Sequence, residues 1–178
     1  MKHLNIEIKA KSNNQDEIRE ILKSNNSEFK GEDRQIDTYF KISHGRLKLR
    51  EGNMENYLVH YVRENKEGPK RSDVTLYKST PGSSLKDILT KSLGVLVVVD
   101  KKREIYFIDN VKFHIDTVEG LGAFVEIEAI ATDENIAIET LQNQCDKYLE
   151  LLGIKKEDLI SVSYSDLILE KNQLVDFF

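Results

Sequence analysis

One cysteine, Cys145, is all the sulfur chemistry this 178-residue chain could draw on besides two methionines. A single thiol excludes an internal disulfide and fits a reducing compartment. Leu141, Leu149 and Leu152 lie in helical phase with Cys145, so it is expected as a small core residue and not a nucleophile. Long apolar runs are missing too. The longest is Val95–Val99, far short of a helical membrane span, and residues 1–11 have no apolar stretch of the secretory kind. Excess positive charge is absent: the net charge is −5, which argues against a general nucleic-acid or membrane-surface binder. There are no repeats, no low-complexity tract and no Pro/Gly-rich linker. There is no Cys/His spacing for zinc, and no Gly-x-x-x-x-Gly-Lys-[Ser/Thr] phosphate loop. These absences predict one cytoplasmic domain over residues 1–170, large enough for its own core, followed by a patternless tail, 171–178. Monomer and homodimer both remain open.

Period-2 alternation dominates what is present. It predicts strands over 3–11, 34–41, 45–51, 56–64, 72–79, 95–108, 111–117 and 123–131. Three helices interrupt them: 15–25, one capped by Ser83 or Ser84 and stopped at Gly94, and 134–152 closed by Gly153. The stretch 64–71, with Gly68 and Pro69 among charges, reads as a mobile loop.

The polar face of these strands carries too much charge for an ordinary solvated sheet. Glu7 and Lys9 share a face, as do Arg46, Lys48 and Arg50. Tyr57, Val59, Tyr61 and Arg63 share another, followed by Lys101 with Arg103, then Lys112, His114 and Asp116, then Glu126 with Glu128. Like charges on neighbouring strands destabilise a sheet unless something neutralises them. A closed eight-stranded antiparallel barrel with this face inside resolves the conflict, because the acids and bases then neutralise one another. The apolar faces point outward under the helices. The predicted class is therefore α+β: a β-barrel tunnel with a polar interior and helices packed outside.

Such a lining suits a polyanion. Glu7, Asp116, Glu126 and Glu128 are hard oxygen donors appropriate to Mg²⁺ or Mn²⁺. Lys9, Arg50, Arg63, Lys101 and Arg103 are donors for phosphate oxygens, bidentate in the case of arginine. Metal, cations and acids in one cavity are the parts that phosphoryl or nucleotidyl transfer needs. Tyr39, Tyr57 and Tyr61 could stack a base or simply pack.

In order and spacing, several segments resemble the CYTH superfamily, or triphosphate tunnel metalloenzymes, from about residue 3 to residue 169. They are Asn5-Ile6-Glu7-Ile8-Lys9, Gln35-Ile36-Asp37-Thr38-Tyr39-Phe40, Leu47-Lys48-Leu49-Arg50, Tyr61-x-Arg63, Gly68-Pro69-Lys70, Lys101-x-Arg103 and Ser163-Tyr164-Ser165-Asp166-Leu167. The run from Phe113 to Glu128 matches as well, and the stretch Asp116–Glu128 within it is the most specific. The superfamily groups class IV adenylyl cyclases, thiamine triphosphatases and inorganic tripolyphosphatases. The resemblance implies an antiparallel eight-stranded tunnel. It implies metal binding by Glu7, Glu126 and Glu128, with Asp116 as a further metal or water ligand. It implies a catalytic triphosphate clamp of Lys9, Arg50, Arg63, Lys101 and Arg103, with Lys48 and Lys70 joining the substrate contacts. In one place the chain departs from the pattern: the first Glu of the opening motif is Asn5, an oxygen donor without charge, so a second metal would be held weakly. The expected substrate is a small triphosphate. The expected reaction is cyclisation of ATP to cyclic AMP and pyrophosphate, or hydrolysis of tripolyphosphate, thiamine triphosphate or a nucleoside triphosphate. A third role is non-catalytic polyphosphate binding; retention of four carboxylates favours an enzyme over it.

Overall fold

A computed structural model describes residues 2–132 and 136–175. Eight strands, β1 (Lys2–Lys11), β2 (Glu28–Phe40), β3 (Arg46–Gly52), β4 (Asn56–Arg63), β5 (Lys70–Lys78), β6 (Val95–Ile108), β7 (Val111–Val118) and β8 (Gly122–Ile130), close into one barrel. The order around it is β1-β5-β4-β3-β2-β6-β7-β8, and every pairing is antiparallel. Among the described residues four α-helices accompany it: α1 (Gln15–Ser24), α2 (Leu85–Leu93), α3 (Ile138–Leu151) and α4 (Tyr164–Val175). No helix among the described residues is long and apolar enough to cross a membrane.

The predicted parity holds. Ile6, Ile8 and Ala10 of β1, Val111, Phe113 and Ile115 of β7, and Val125, Ile127 and Ala129 of β8 face outward and are buried. They pack under Ile18 and Leu22 of α1 and Leu141, Cys145 and Tyr148 of α3. Each buried Ile, Leu, Val or Phe side chain among them contributes about 1.5–3 kcal/mol by leaving water, so this covered flank holds the barrel's outer face. Cys145 is fully buried there, as expected.

The C-terminal region differs from expectation. Residues 164–175 form a fourth helix, so the patternless tail begins inside an ordered element; residues 176–178 lie outside the described set, as does the expected helical start at 134. Residue 138 is the observed first residue of α3. β2 also begins at Glu28 and not near 34, with a bulge between Phe29 and Gly31 that breaks its alternation.

The segment 159–166 lies across one end of the barrel. Leu159 bridges Ala10, and the Ile160 amide donates to the Lys9 carbonyl at 2.8 Å. Asp166 accepts from Arg46 at 2.7 Å. Ile160 and Tyr164 then join Tyr39, Tyr61, Val97, Val99, Val118 and Phe124 in an apolar cluster. That plug explains why β6 opens with an unbroken apolar run: Val97 and Val99 share the inward face with Lys101 and Arg103, yet they join the plug's apolar cluster.

Candidate active site

The plug leaves a one-ended cavity of about 270 Å³. At the closed end Lys9, Ser163 and Tyr164 are buried; at the other end His3, Tyr57, Leu76, Phe107 and Ile130 are partly exposed, and the cavity opens between them. Seven cations and four carboxylates line it. Of the expected site residues, Glu7, Lys9, Lys48, Arg50, Arg63, Lys101, Arg103, Glu126 and Glu128 all reach its wall.

The strands set these positions through register. Across β7, β8 and β1, His114 pairs with Glu126, Glu126 with Lys9, and Glu128 with Glu7. Lys48 and Arg50 stand on β3, on the opposite side of the ring. Glu7, Glu126 and Glu128 therefore gather on one wall, interleaved with Lys9 and Lys112, and Lys48 and Arg50 face them.

The Glu126 carboxylate accepts from Lys9 at 2.5 Å, Arg103 at 2.7 Å and His114 Nδ1 at 3.0 Å. Burial alone would raise its carboxyl. Lys9 and Arg103 outweigh that and hold it well below the usual range. Glu7 is paired with Arg63, but Arg63 keeps Nε and Nη2 buried without a partner among the described residues. Buried donors are normally satisfied, so two unused donor nitrogens in a cationic cavity point to an anionic ligand.

Asp37, named in the motif but not assigned to the site, holds three clamp cations from behind. Its oxygens accept from Arg50 Nε at 2.9 Å and Nη2 at 3.0 Å, from Lys48 at 2.9 Å and from Lys101 at 2.6 Å. Only 1% of Asp37 is exposed. Burial would raise its carboxyl, yet Arg50, Lys101 and Lys48 keep it far below the ordinary value.

Two expected ligands take other positions. Asp116, read as a metal or water ligand, is fully buried behind the wall. It accepts from Arg103 at 2.7 and 2.5 Å and from the Tyr164 hydroxyl at 2.8 Å. Its oxygens aim the Arg103 guanidinium and leave the cavity to it. Lys70, expected on substrate, is also fully buried and donates to the carbonyls of Ile160 at 2.8 Å, Lys66 at 3.1 Å and Ser161 at 3.2 Å. It fastens the plug. A charged hydrogen bond is worth about 1.5–3 kcal/mol, so Lys70→Met should lower stability by at least that amount while leaving tripolyphosphate affinity unchanged. Calorimetric melting and titration separate the two effects, and a loss of affinity in the folded variant would return Lys70 to the clamp.

The donor set fits a divalent cation. His114, Glu126 and Glu128 each offer one ligand atom, and these atoms lie within 4.8 Å of one another. Burial, then Arg103, presses His114 down to about 3, so its imidazole is neutral; with Nδ1 donating to Glu126, the lone pair lies on Nε2, which has no partner among the described residues. Burial pushes Glu128 up to about 7, with Glu126 and Glu7 adding to it and Lys112 opposing; a cation would relieve that crowding. The buried side-chain oxygen of Asn5 is unpartnered among the described residues. His114, Lys112 and Glu55 were not assigned to the site from sequence. Alternation put the first two on the inward face, whereas Glu55 lies in a turn, where alternation carries no information.

A CYTH domain family model matches residues 3–164. The chain belongs to the CYTH family. Members of this triphosphate tunnel family are typically metal-dependent enzymes. This CYTH domain is 29% identical to a Methanocaldococcus jannaschii protein provisionally named an adenylate cyclase, over 92% of the chain and 98% of that relative. A solved Pyrococcus horikoshii protein superimposes on it with a TM-score of 0.73, at 24% identity over 92% of this chain and 98% of the other. A Hippeastrum protein, described as an adenylyl cyclase candidate with a dominant triphosphatase activity, shares the fold with a TM-score of 0.60 at 14% identity, covering 96% of both chains.

Proposed function

We propose that this CYTH domain is a Mg²⁺- or Mn²⁺-dependent enzyme that acts on a triphosphate ester, with ATP cyclisation as the leading reaction. The observation that carries it is that the His114–Glu126–Glu128 donor group and the cations Arg50, Arg63, Lys101 and Arg103 line one and the same cavity.

The polarity of that cavity orients the ligand. Lys9, Arg63 and Arg103 lie toward the plug, so the terminal phosphates go in first. Tyr57, Leu76, Phe107 and Ile130, partly exposed, line the mouth, which suits the organic end of an ester and is of no use to inorganic polyphosphate. Glu126 and Glu128, with His114 and Glu7 beside them, would hold the ion. A divalent ion bound there neutralises phosphate charge and polarises the phosphorus–oxygen bond. Arg63 meets phosphate oxygens with its unpartnered Nε and Nη2. Arg103, aimed by Asp116, and Lys9 stabilise the negative charge that builds on the departing pyrophosphate. In cyclisation the ribose 3′-hydroxyl gives up its proton to solvent as its oxygen bonds to the α-phosphorus and the bond to pyrophosphate breaks.

Hydrolysis is the second reading. Asn5 favours it, because a neutral donor supports a second cation poorly, and one ion suffices to orient water against a terminal phosphorus. In either case Arg63→Ala should weaken tripolyphosphate binding by about 1.5–3 kcal/mol, or roughly 10- to 150-fold. Unchanged affinity in titration calorimetry would remove Arg63 from the clamp.

Phosphorus NMR of the products decides between the reactions. The protein is incubated with Mg²⁺ or Mn²⁺ and ATP, tripolyphosphate or thiamine triphosphate in turn. Cyclic AMP with pyrophosphate is the expected outcome from ATP. Orthophosphate release establishes hydrolysis instead, and no turnover of any of the three contradicts the enzymatic reading.

A further inference from the structure

The turn between β3 and β4 sends a carboxylate into the tunnel. Glu55 Oε2 accepts from Arg50 Nη1 at 2.9 Å and from Gln35 Nε2 at 3.0 Å; Oε1 accepts from Lys112 Nζ at 2.5 Å. Arg50 is on β3 and Lys112 on β7, three strands away around the ring. One side chain therefore ties two walls of the cavity together.

The turn is built to present it. Buried Asp33 accepts from the amides of Met54 at 2.9 Å and Glu55 at 3.0 Å, and from Gln35 at 2.8 Å. Gly52 leaves room for that carboxylate, since a Cβ there would sit 2.6 Å from Asp33 Oδ2 and 2.8 Å from the Glu55 carbonyl oxygen. Burial would raise the Glu55 carboxyl, but Arg50 and Lys112 hold it far below the ordinary value. An ionised carboxylate bridging a guanidinium and an ammonium offers them what a phosphate would offer.

We propose that Glu55 occupies, in the ligand-free tunnel, the position of the outermost phosphate of the substrate, and that this phosphate displaces it. The inference rests on the triphosphate reading above. Lys9, Arg63 and Arg103 lie toward the plug and can take up a short anion without disturbing Glu55. Arg50 and Lys112 stand toward the mouth, so only a chain of three phosphates extends far enough to compete for them. Glu55 thus lowers affinity for triphosphates selectively and reoccupies its donors when a shorter product remains.

The test is titration calorimetry of orthophosphate, pyrophosphate and tripolyphosphate, with chelator present, into the wild-type protein and Glu55→Gln. Glutamine keeps the shape and removes the charge. Tripolyphosphate affinity is expected to rise about tenfold or more, while the two shorter anions change less than about twofold. Glu55→Ala should give the same order if the glutamine variant is poorly folded. Unchanged or weaker tripolyphosphate binding by the folded variants overturns the proposal and makes Glu55 a brace of the turn. An equal rise for all three anions also overturns it, as a general charge effect. Wild type and variants all indifferent to tripolyphosphate would instead overturn the triphosphate reading itself.

Discussion

Asp37→Asn is expected to destabilise the fold by about 3–5 kcal/mol at neutral pH, the usual cost of leaving buried charges without their partner. Arg50, Lys48 and Lys101 converge on this one carboxylate within 3.0 Å. An asparagine would present one neutral oxygen and an amide that repels the same donors. The pH dependence follows from the direction of the shift. The folded-state pKa is depressed, so the stabilisation is fully present above the unfolded value of about 3.9. It is lost as pH falls through the folded value. The gap between wild type and variant should therefore close below about pH 4. Tripolyphosphate would bring negative charge to the same three cations, so adding it should narrow the gap at neutral pH. Chemical denaturation across pH, with and without tripolyphosphate, measures all of this. A variant as stable as wild type would mean that the clamp needs no acid behind it.

Glu126→Gln is expected to remove turnover while leaving the barrel folded. Glu126 is common to the His114–Glu126–Glu128 donor group and to the ion pairs with Lys9 and Arg103. Losing several kcal/mol of transition-state stabilisation at a metal site corresponds to roughly a 10³-fold fall in kcat. Arg103 keeps Asp116 as a partner, which limits the structural damage. Electron paramagnetic resonance of added Mn²⁺ gives a second readout, because the variant should lose its tight site. Wild-type turnover together with wild-type Mn²⁺ affinity would contradict the assignment.

Most of the barrel is legible in the sequence because a strand's side chains alternate strictly. Once Ile6, Ile8 and Ala10 are outside, Glu7 and Lys9 must be inside. Parity alone does not separate a group that meets the cavity from one buried behind it. Asp116 shares its face with His114, but its oxygens are spent on Arg103 and Tyr164. Lys70 faces inward and spends its donors on carbonyls of the plug and of Lys66. The plug is long-range in origin: Tyr164 meets Phe124 at a ring-centroid distance of 4.9 Å and Lys9 sits 3.6 Å above its ring, contacts that no local pattern encodes. In α4 the consecutive Leu167, Ile168 and Leu169 pack against the closed barrel end, and a consecutive apolar run hides the helical period. Glu55 is positioned by Asp33 and Gly52 across a turn, again beyond the reach of alternation.

The most direct test is a crystal structure of the protein with Mn²⁺ and tripolyphosphate, using the anomalous signal to locate the ion. The expected result is Mn²⁺ between Glu126 and Glu128, with phosphate oxygens on Arg63, Arg103 and Arg50 and Glu55 displaced from Arg50. Ion and polyphosphate bound outside the barrel, with the tunnel pairs unchanged, would contradict the account.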